Sequence, residues 1–135
     1  MQAIAINWWA ILGAVASNFV VGGAWYSPSL FIKPWLEMSG VSKSEFDSGL
    51  LKALVGDLVS ALVMALVLDR LLRSSGVADL SHGLFITLLV WLGFVVTVLL
   101  GSVTYEHRPF KFFAINVGYR LMTMMAMGAI LTLWR

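Results

Sequence analysis

The chain has 135 residues and a mean hydropathy of +0.91, with 60% of its residues hydrophobic and 12% charged. Because soluble domains typically carry about 25% charged residues, this composition excludes an ordinary soluble domain and predicts an integral membrane protein. The formal net charge of +2 is small, and the absence of cysteine excludes disulfides, thiolate chemistry and cysteine-based metal sites.

The first apolar run covers about residues 7–28 and contains no charged side chain. Two tryptophans stand at its start, and Trp25 and Tyr26 stand near its end, which is typical of side chains that anchor a helix at a membrane interface. The first charged residue of the chain is Lys33, so the run lacks the basic start of a cleaved signal peptide. We therefore expect a membrane span.

Three further apolar runs follow, at about residues 50–72, 83–105 and 110–134. The second carries Asp57, the third has no charge, and the last has Arg120 as its interior charge. At about 1.5 Å per residue, each run can cross a hydrocarbon core of about 30 Å as a helix. The connections after the second and third runs are short. The sequence predicts one all-α transmembrane domain, comprising the whole chain, with four helices in two antiparallel hairpins.

The connection between the first two spans is the only long one, at residues 29–49. Its Lys33-Pro34-Trp35 stretch combines basic and aromatic side chains and predicts a short turn or helix in the headgroup layer. Ser42 and Glu45 have the spacing of a capping box, in which each side chain satisfies a free amide at a helix start. We expect a helix to begin near Lys43.

Orientation is predicted from the basic residues in the connections, which favour the cytoplasmic side. The even number of spans places both termini on one side, and the larger basic group lies on the other side, with the long first connection. Both termini are therefore predicted to be outside the cytoplasm. The larger group is Lys33, Lys43, Lys52, Arg108 and Lys111, and the smaller group is Arg70, Arg73 and Arg135.

Asp57 and Arg120 require an explanation, because a charged side chain at the centre of a bilayer costs about 2.5 to 3.5 kcal/mol on insertion scales. In the predicted topology the second and fourth spans both enter the membrane from the side of the first connection, so the depth of each residue is counted from that side. The helical rise places Asp57 roughly 10 Å and Arg120 roughly 15 Å into the membrane. We expect the two side chains to face the bundle interior and to interact directly or through one polar group.

Other polar side chains recur at helical spacing with these charges. On the fourth span Asn116, Tyr119 and Arg120 share a face, and on the first span Asn18 lies in a row of small residues. A similar row on the third span, made of Gly93, Thr97 and Gly101, is predicted to face the interior, and close helix approach through such rows favours a homo-oligomer. The candidate polar intramembrane site consists of Asn18, Asp57, Asn116, Tyr119 and Arg120.

No recognisable enzyme or cofactor motif occurs in the sequence. The two histidines are far apart and lack zinc-binding spacing, and there is no phosphate loop, dinucleotide fingerprint or nucleophile elbow. Glu106 and His107 lie in a tight turn, where adjacent side chains diverge, so we interpret them as solvated. We expect no catalytic residue, no metal and no cofactor, and the sequence favours a protein that is not an enzyme.

The most specific stretch of the sequence runs from Gly22 to Pro28 (Gly-Gly-Ala-Trp-Tyr-Ser-Pro), followed by Phe31, Lys33-Pro34-Trp35 and Gly40. Together with the Asn7-Trp8 opening it resembles the bacterial membrane family numbered 1761 among the domains of unknown function. The likeness covers nearly the whole chain. The resemblance implies a bacterial inner-membrane protein with four helices. The family has no assigned activity, so no functional residue is carried over.

The same stretch predicts an interface segment made of Trp25, Tyr26, Pro28, Pro34 and Trp35. Pro28 should stop the first helix, because the residue before a proline disfavours the helical conformation. The aromatic residues after it could fold back against the bundle. The segment is then either a structural cap or a gate or binding surface, and the sequence does not choose between these hypotheses.

Two function hypotheses follow from these patterns. In the first, the chain is a small transporter or channel-like protein for a solute, ion or proton, and its pathway uses the polar interior. Because four helices enclose little space, such a pathway favours a homo-oligomer. In the second, the chain is a structural or interaction subunit without transport or catalytic activity. The expected partners are the lipid bilayer, further copies of the chain and a small solute or ion, but not nucleic acid.

Overall fold

The computed structural model describes residues 5–134, which form helices and connections without any strand in that range. The Arg135 used in the orientation argument lies outside the described residues. The helices are α1 (Trp8–Trp25), α2 (Ile32–Ser39), α3 (Lys43–Ser48), α4 (Leu50–Ser74), α5 (Leu80–Thr104) and α6 (Phe110–Leu133).

Four of these helices, α1, α4, α5 and α6, are long and apolar enough to cross a membrane. This confirms the predicted all-α architecture of a multi-pass membrane protein. The short connections α4–α5 and α5–α6 make both neighbouring pairs antiparallel. Helix α6 packs against the other three spans, and α4 packs against α1 and, less extensively, against α5.

Local sequence signals set several helix starts. The Asn7 side chain accepts a hydrogen bond from the Ala10 amide at 3.3 Å, at the start of α1. Ser42 accepts from the Glu45 amide at 3.1 Å, so α3 begins at Lys43 as the capping-box spacing predicts. Asp79 caps α5 in the same way. Helix α2 ends at Ser39 and is followed by Gly40, whose φ of 76° lies in the left-handed region that glycine adopts without strain.

The spans are closely packed at the ends that lie away from the first connection, which we call the packed half. Alanines on facing helices are fully buried there and let α1 and α4 approach each other. Larger apolar side chains of α4 and α6 complete this core. Its members include Ala10, Ile11, Ala14, Ala65, Leu68, Leu72, Met127 and Leu131.

Helices α5 and α6 cross in the packed half through a reciprocal pair of glycines and threonines. Gly83 lies against Thr132 and Gly128 lies against Thr87, so that each helix presents one glycine and, four residues later, one threonine. A Cβ atom at either glycine would overlap the facing threonine side chain. The Thr87 hydroxyl donates to the Gly83 carbonyl at 2.8 Å within its own helix. Glycine therefore sets the separation of the two helices.

The prediction that the small residues of the third span face the interior is wrong. Gly93 and Thr97 are exposed, and a Cβ at Gly93 would meet no atom within 4 Å. The inward face of α5 is marked instead by Gly83, Thr87 and Trp91, at steps of four residues. Gly93 stands two residues beyond Trp91, about 200° around the helix, and so lies on the opposite face.

Candidate functional site

A cavity of about 570 Å³ lies in the other half of the bundle, between α1, α4 and α6, beside α2 and α3 of the first connection. We call this end of the molecule the polar half. Aromatic and aliphatic side chains form most of the cavity wall, and a few polar groups converge on it. The lining residues are Phe19, Gly22, Gly23, Tyr26, Trp35, Phe46, Leu50, Ala53, Leu54, Asp57, Asn116, Tyr119 and Arg120.

Asp57 connects three helices at this cavity. Its Oδ2 atom accepts a hydrogen bond from Asn18 Nδ2 of α1 at 2.9 Å. Its Oδ1 atom lies 4.0 Å from Arg120 Nη2 of α6. The predicted proximity of the two intramembrane charges is therefore confirmed, and Asn18, which is fully buried, fixes the position of the carboxylate.

The Asp57–Arg120 ion pair is open. A separation of 4.0 Å exceeds the length of a direct charged hydrogen bond, which is about 2.7 to 2.9 Å. The two side chains are 26% and 30% exposed, and both line the cavity. The Arg120 guanidinium also lies 4.9 Å from the centre of the Tyr119 ring, which is a cation–π distance. The charges compensate each other, yet each can still contact a molecule in the cavity.

Asn116 organises the aromatic side of the cavity. Its Oδ1 atom accepts two hydrogen bonds, from the Tyr26 hydroxyl and from the Trp35 indole N–H, each at 3.2 Å. Within residues 5–134 its Nδ2 group donates to no acceptor. Asn116 and Arg120 are one turn apart on α6 and both line the cavity, so they present hydrogen-bond donors side by side.

Stacked and edge-on rings hold α2 and α3 over the cavity. The Tyr26 ring meets the Tyr119 ring at 5.0 Å and the Trp35 ring at 6.0 Å between centroids. The Trp35 ring also contacts those of Phe46 and Phe112, at 6.0 and 6.2 Å. Such aromatic pairs each contribute about 0.5 to 1.5 kcal/mol beyond their area burial.

The interface segment folds back against α6. Besides the bonds from Tyr26 and Trp35 to Asn116, the Trp25 indole donates to the Ile115 carbonyl at 3.1 Å. Helix α1 ends at Trp25, three residues before the exposed Pro28, and Pro34 lies in the first turn of α2, where its missing N–H breaks no helical bond. This geometry fits both a structural cap and a gate.

Two glycines make room for the aromatic rings. A Cβ at Gly22 would lie 3.1 Å from the Tyr119 hydroxyl, and a Cβ at Gly118 would lie 3.0 Å from the Trp25 ring. These distances are shorter than ordinary van der Waals contacts. A side chain at Gly22 would therefore displace the Tyr119 ring by a few tenths of an ångström.

Arg108 links the two connections that lie on the same side of the bundle. Its Nη1 atom donates to the carbonyls of Met38 and Ser39 at 3.1 and 2.9 Å, at the carboxyl end of α2. These carbonyls have no amide partner within the helix, and a cation is favourable there. Sequence reasoning used Arg108 only for topology, whereas in the structure it holds α2 in place.

The structure brings together all five residues of the predicted polar site, Asn18, Asp57, Asn116, Tyr119 and Arg120. It adds Tyr26, Trp35 and Phe46, of which sequence reasoning had assigned the first two to an interface. The Tyr26 hydroxyl and the Trp35 indole N–H need hydrogen-bond partners when buried, and this requirement was the signal that could have placed these two residues at the site. No group of three potential metal ligands occurs among the residues that the structure describes.

The chain belongs to the family described as "Protein of unknown function (DUF1761)", which matches residues 9–132. This confirms the resemblance noted from the sequence. No curated protein and no solved structure matches the chain. The family description assigns no activity, so the geometry of the cavity is the basis for a functional hypothesis.

Proposed function

We propose that this member of the DUF1761 family is a small transporter that binds its solute in the cavity between α1, α4 and α6. The observation that supports this most directly is the open Asp57–Arg120 pair in a cavity of about 570 Å³. Ligand sites typically measure about 300 to 1,000 Å³ and combine apolar walls with a few convergent polar groups. Ionisable side chains within a membrane commonly mark solute, ion or proton pathways.

The proposal places the protein in the bacterial inner membrane with both termini outside the cytoplasm. The cavity then lies in the cytoplasmic half of the bundle, beside α2. Reporter fusions at the two ends of the chain should label from the outer side, and a reporter inserted at Gly40 should label from the cytoplasm. Labelling of the ends from the cytoplasm would reverse the direction in which the cavity opens.

We also propose that the transporter is a homo-oligomer. Four helices enclose little space, and the outward face of α5 carries Gly93 and Thr97, small residues that let a second helix approach closely. Native mass spectrometry from lipid nanodiscs should detect more than one copy. A monomer in both nanodiscs and gentle detergent would contradict this assembly.

The alternative is a structural or interaction subunit without transport activity. One observation favours it: Asp57 and Arg120 neutralise each other, and Asn18 and Asn116 satisfy hydrogen bonds across helices. Polar side chains that serve only assembly have such partners. The two hypotheses differ in whether the cavity accepts a solute.

Filling the cavity separates the two hypotheses. Ala53 lines the cavity, whereas Ala16 of α1 is exposed on the outer surface of the bundle, so the same substitution can be made at both positions. In proteoliposomes we expect solute uptake by the original chain and by Ala16→Trp, and loss of uptake in Ala53→Trp with normal folding. Absence of uptake and of binding for every solute tested would favour the structural subunit.

A further inference from the structure

The formal charges on the cavity wall add up to zero, because Asp57 and Arg120 are the only charged residues that line it in the described part of the chain. A solute with a net charge would bring an uncompensated charge into a site of low dielectric constant, which is unfavourable. A solute without charges would leave both side chains unused. The electrostatics favour a molecule that carries one positive and one negative group.

The spacing of the two charges also suits such a molecule. Arg120 Nη2 and Asp57 Oδ1 are 4.0 Å apart, and both side chains are accessible from the cavity. An ammonium and a carboxylate on one carbon atom are roughly 3 Å apart by covalent geometry. If such a solute lies alongside the Asp57–Arg120 pair, its ammonium faces Asp57 and its carboxylate faces Arg120. The four charges would then alternate in sign around a ring, and each would have two opposite neighbours.

The remaining wall determines which end of the solute lies where. Asn116 is one turn from Arg120 and has a free amide donor, so the carboxylate would meet two donors in succession. Next to Asn116, the rings of Tyr26 and Trp35, together with Phe46, provide aromatic surface for an apolar body. We infer that the solute is a small zwitterion of the α-amino acid type with an apolar side chain, a conclusion that rests on the proposed transport function.

The test uses probes that differ by one charged group. Phenylalanine carries both groups, 2-phenylethylamine lacks the carboxylate, and 3-phenylpropanoate lacks the ammonium. Binding is measured by calorimetry on the full chain in nanodiscs of phosphatidylglycerol, with leucine as a second zwitterion. We expect phenylalanine to bind at least about tenfold more tightly than either singly charged probe. Adding phosphatidylethanolamine should not change this affinity, because the proposed ligand is a free solute and not a lipid headgroup.

Two charge variants make the test specific for the assigned contacts. In Arg120→Gln the net charge of the site becomes negative, and 2-phenylethylamine should become the tightest ligand of the three probes. In Asp57→Asn the preference should shift to 3-phenylpropanoate. A purely structural pair would not reverse the order of ligands in this way. Arg73→Gln, which alters an ion pair in the packed half, serves as the control and should keep the original order.

The outcomes distinguish the solute class from the transport function. If either singly charged probe binds the original chain as tightly as phenylalanine, or if phosphatidylethanolamine competes, the assignment of a free zwitterion is overturned while solute binding stands. If neither phenylalanine nor leucine binds, the zwitterion assignment is again overturned. Uptake of other solutes that is abolished by Ala53→Trp would then still support transport, and its absence would remove the proposed function as well.

Discussion

Each half of the bundle contains an aspartate of α4 paired with an arginine, and the two pairs differ in what they leave accessible. In the packed half, Arg73 Nε lies 3.0 Å from both oxygens of Asp69, one turn away on the same helix. In the polar half, Asp57 and Arg120 are 4.0 Å apart on different helices beside a cavity. A closed pair within one helix can only stabilise, whereas an open pair between helices can also recognise a third group.

The packing around the two pairs differs for a related reason. Helix separation depends on the side chains at the contact. Glycine and alanine bring the helices together in the packed half, as at Gly83 and Gly128. In the polar half the rings of Tyr26 and Tyr119 stand between α1 and α6, and Trp35 lies beside them. Bulky rings at this end hold open the space between α1, α4 and α6 that forms the cavity.

The largest change in stability is expected from Asp57→Ala, which removes the partner of both Arg120 and Asn18. Leaving one member of a buried pair without its partner typically costs about 3 to 5 kcal/mol, and we expect a loss of about 3 kcal/mol because this pair is partly open. Denaturant unfolding in mixed micelles measures this loss in the free energy of unfolding. The double variant Asp57→Ala/Arg120→Ala should lose less than the sum of the single losses. Additive losses would show that the two charges are not coupled.

The second-largest loss of stability is expected from Gly83→Ala. The added methyl group would overlap Thr132 and force α5 away from α6, at a cost of about 2 kcal/mol, as for overpacked cores. Gly93→Ala is the matched control on the same helix, because its methyl group meets nothing. Solute affinity should be the same in both variants. A loss of affinity in Gly83→Ala that matches the loss of stability would mean that the two halves are not independent.

A smaller effect is expected from Trp35→Phe, which keeps a ring over the cavity and removes the N–H that donates to Asn116. The loss of one hydrogen bond lowers stability by about 1 kcal/mol. Hydrogen exchange should become faster in α2 and remain unchanged in the packed half. Trp9→Phe, at an exposed position of α1, is the control. Unchanged exchange in α2 would show that the hydrogen bond from Trp35 to Asn116 does not hold this helix.

The smallest effect is expected from Arg73→Lys in the packed half. Lysine retains the charge and loses the contact with both carboxylate oxygens, so the cost should be about 0.5 kcal/mol. Thermal unfolding measures the change, and solute affinity should not move. A shift in solute affinity would contradict the assignment of a purely stabilising role to the closed pair.

Sequence reasoning succeeded where a property depends on spacing along one helix. The four spans follow from the lengths of the apolar runs, and the start of α3 follows from the Ser42–Glu45 spacing. Asn116 and Arg120 could be grouped because residues four apart share a helical face. Asp57 could be added because the cost of burying a charge requires a partner.

The rest depends on the path of the chain between helices. Nothing in the periodicity of residues 29–49 indicates that Trp35 reaches Asn116, since that contact requires the first connection to return over α6. The inward face of α5 was also predicted wrongly, because three small residues at steps of four looked like a contact row. A π-helical turn at Trp91–Val96, which no composition rule signals, lies at the start of that row.

The position of α6 has a consequence for biogenesis. This helix leaves the ribosome after the other three spans, yet it contacts all of them and supplies Arg120, Asn116 and Tyr119 to the cavity. Until it inserts, the nascent chain holds Asp57 in the membrane without its counter-charge. Insertion of α6 relieves that cost and lets Arg108, just before it, bind the end of α2. Folding of the cavity is therefore coupled to the insertion of α6.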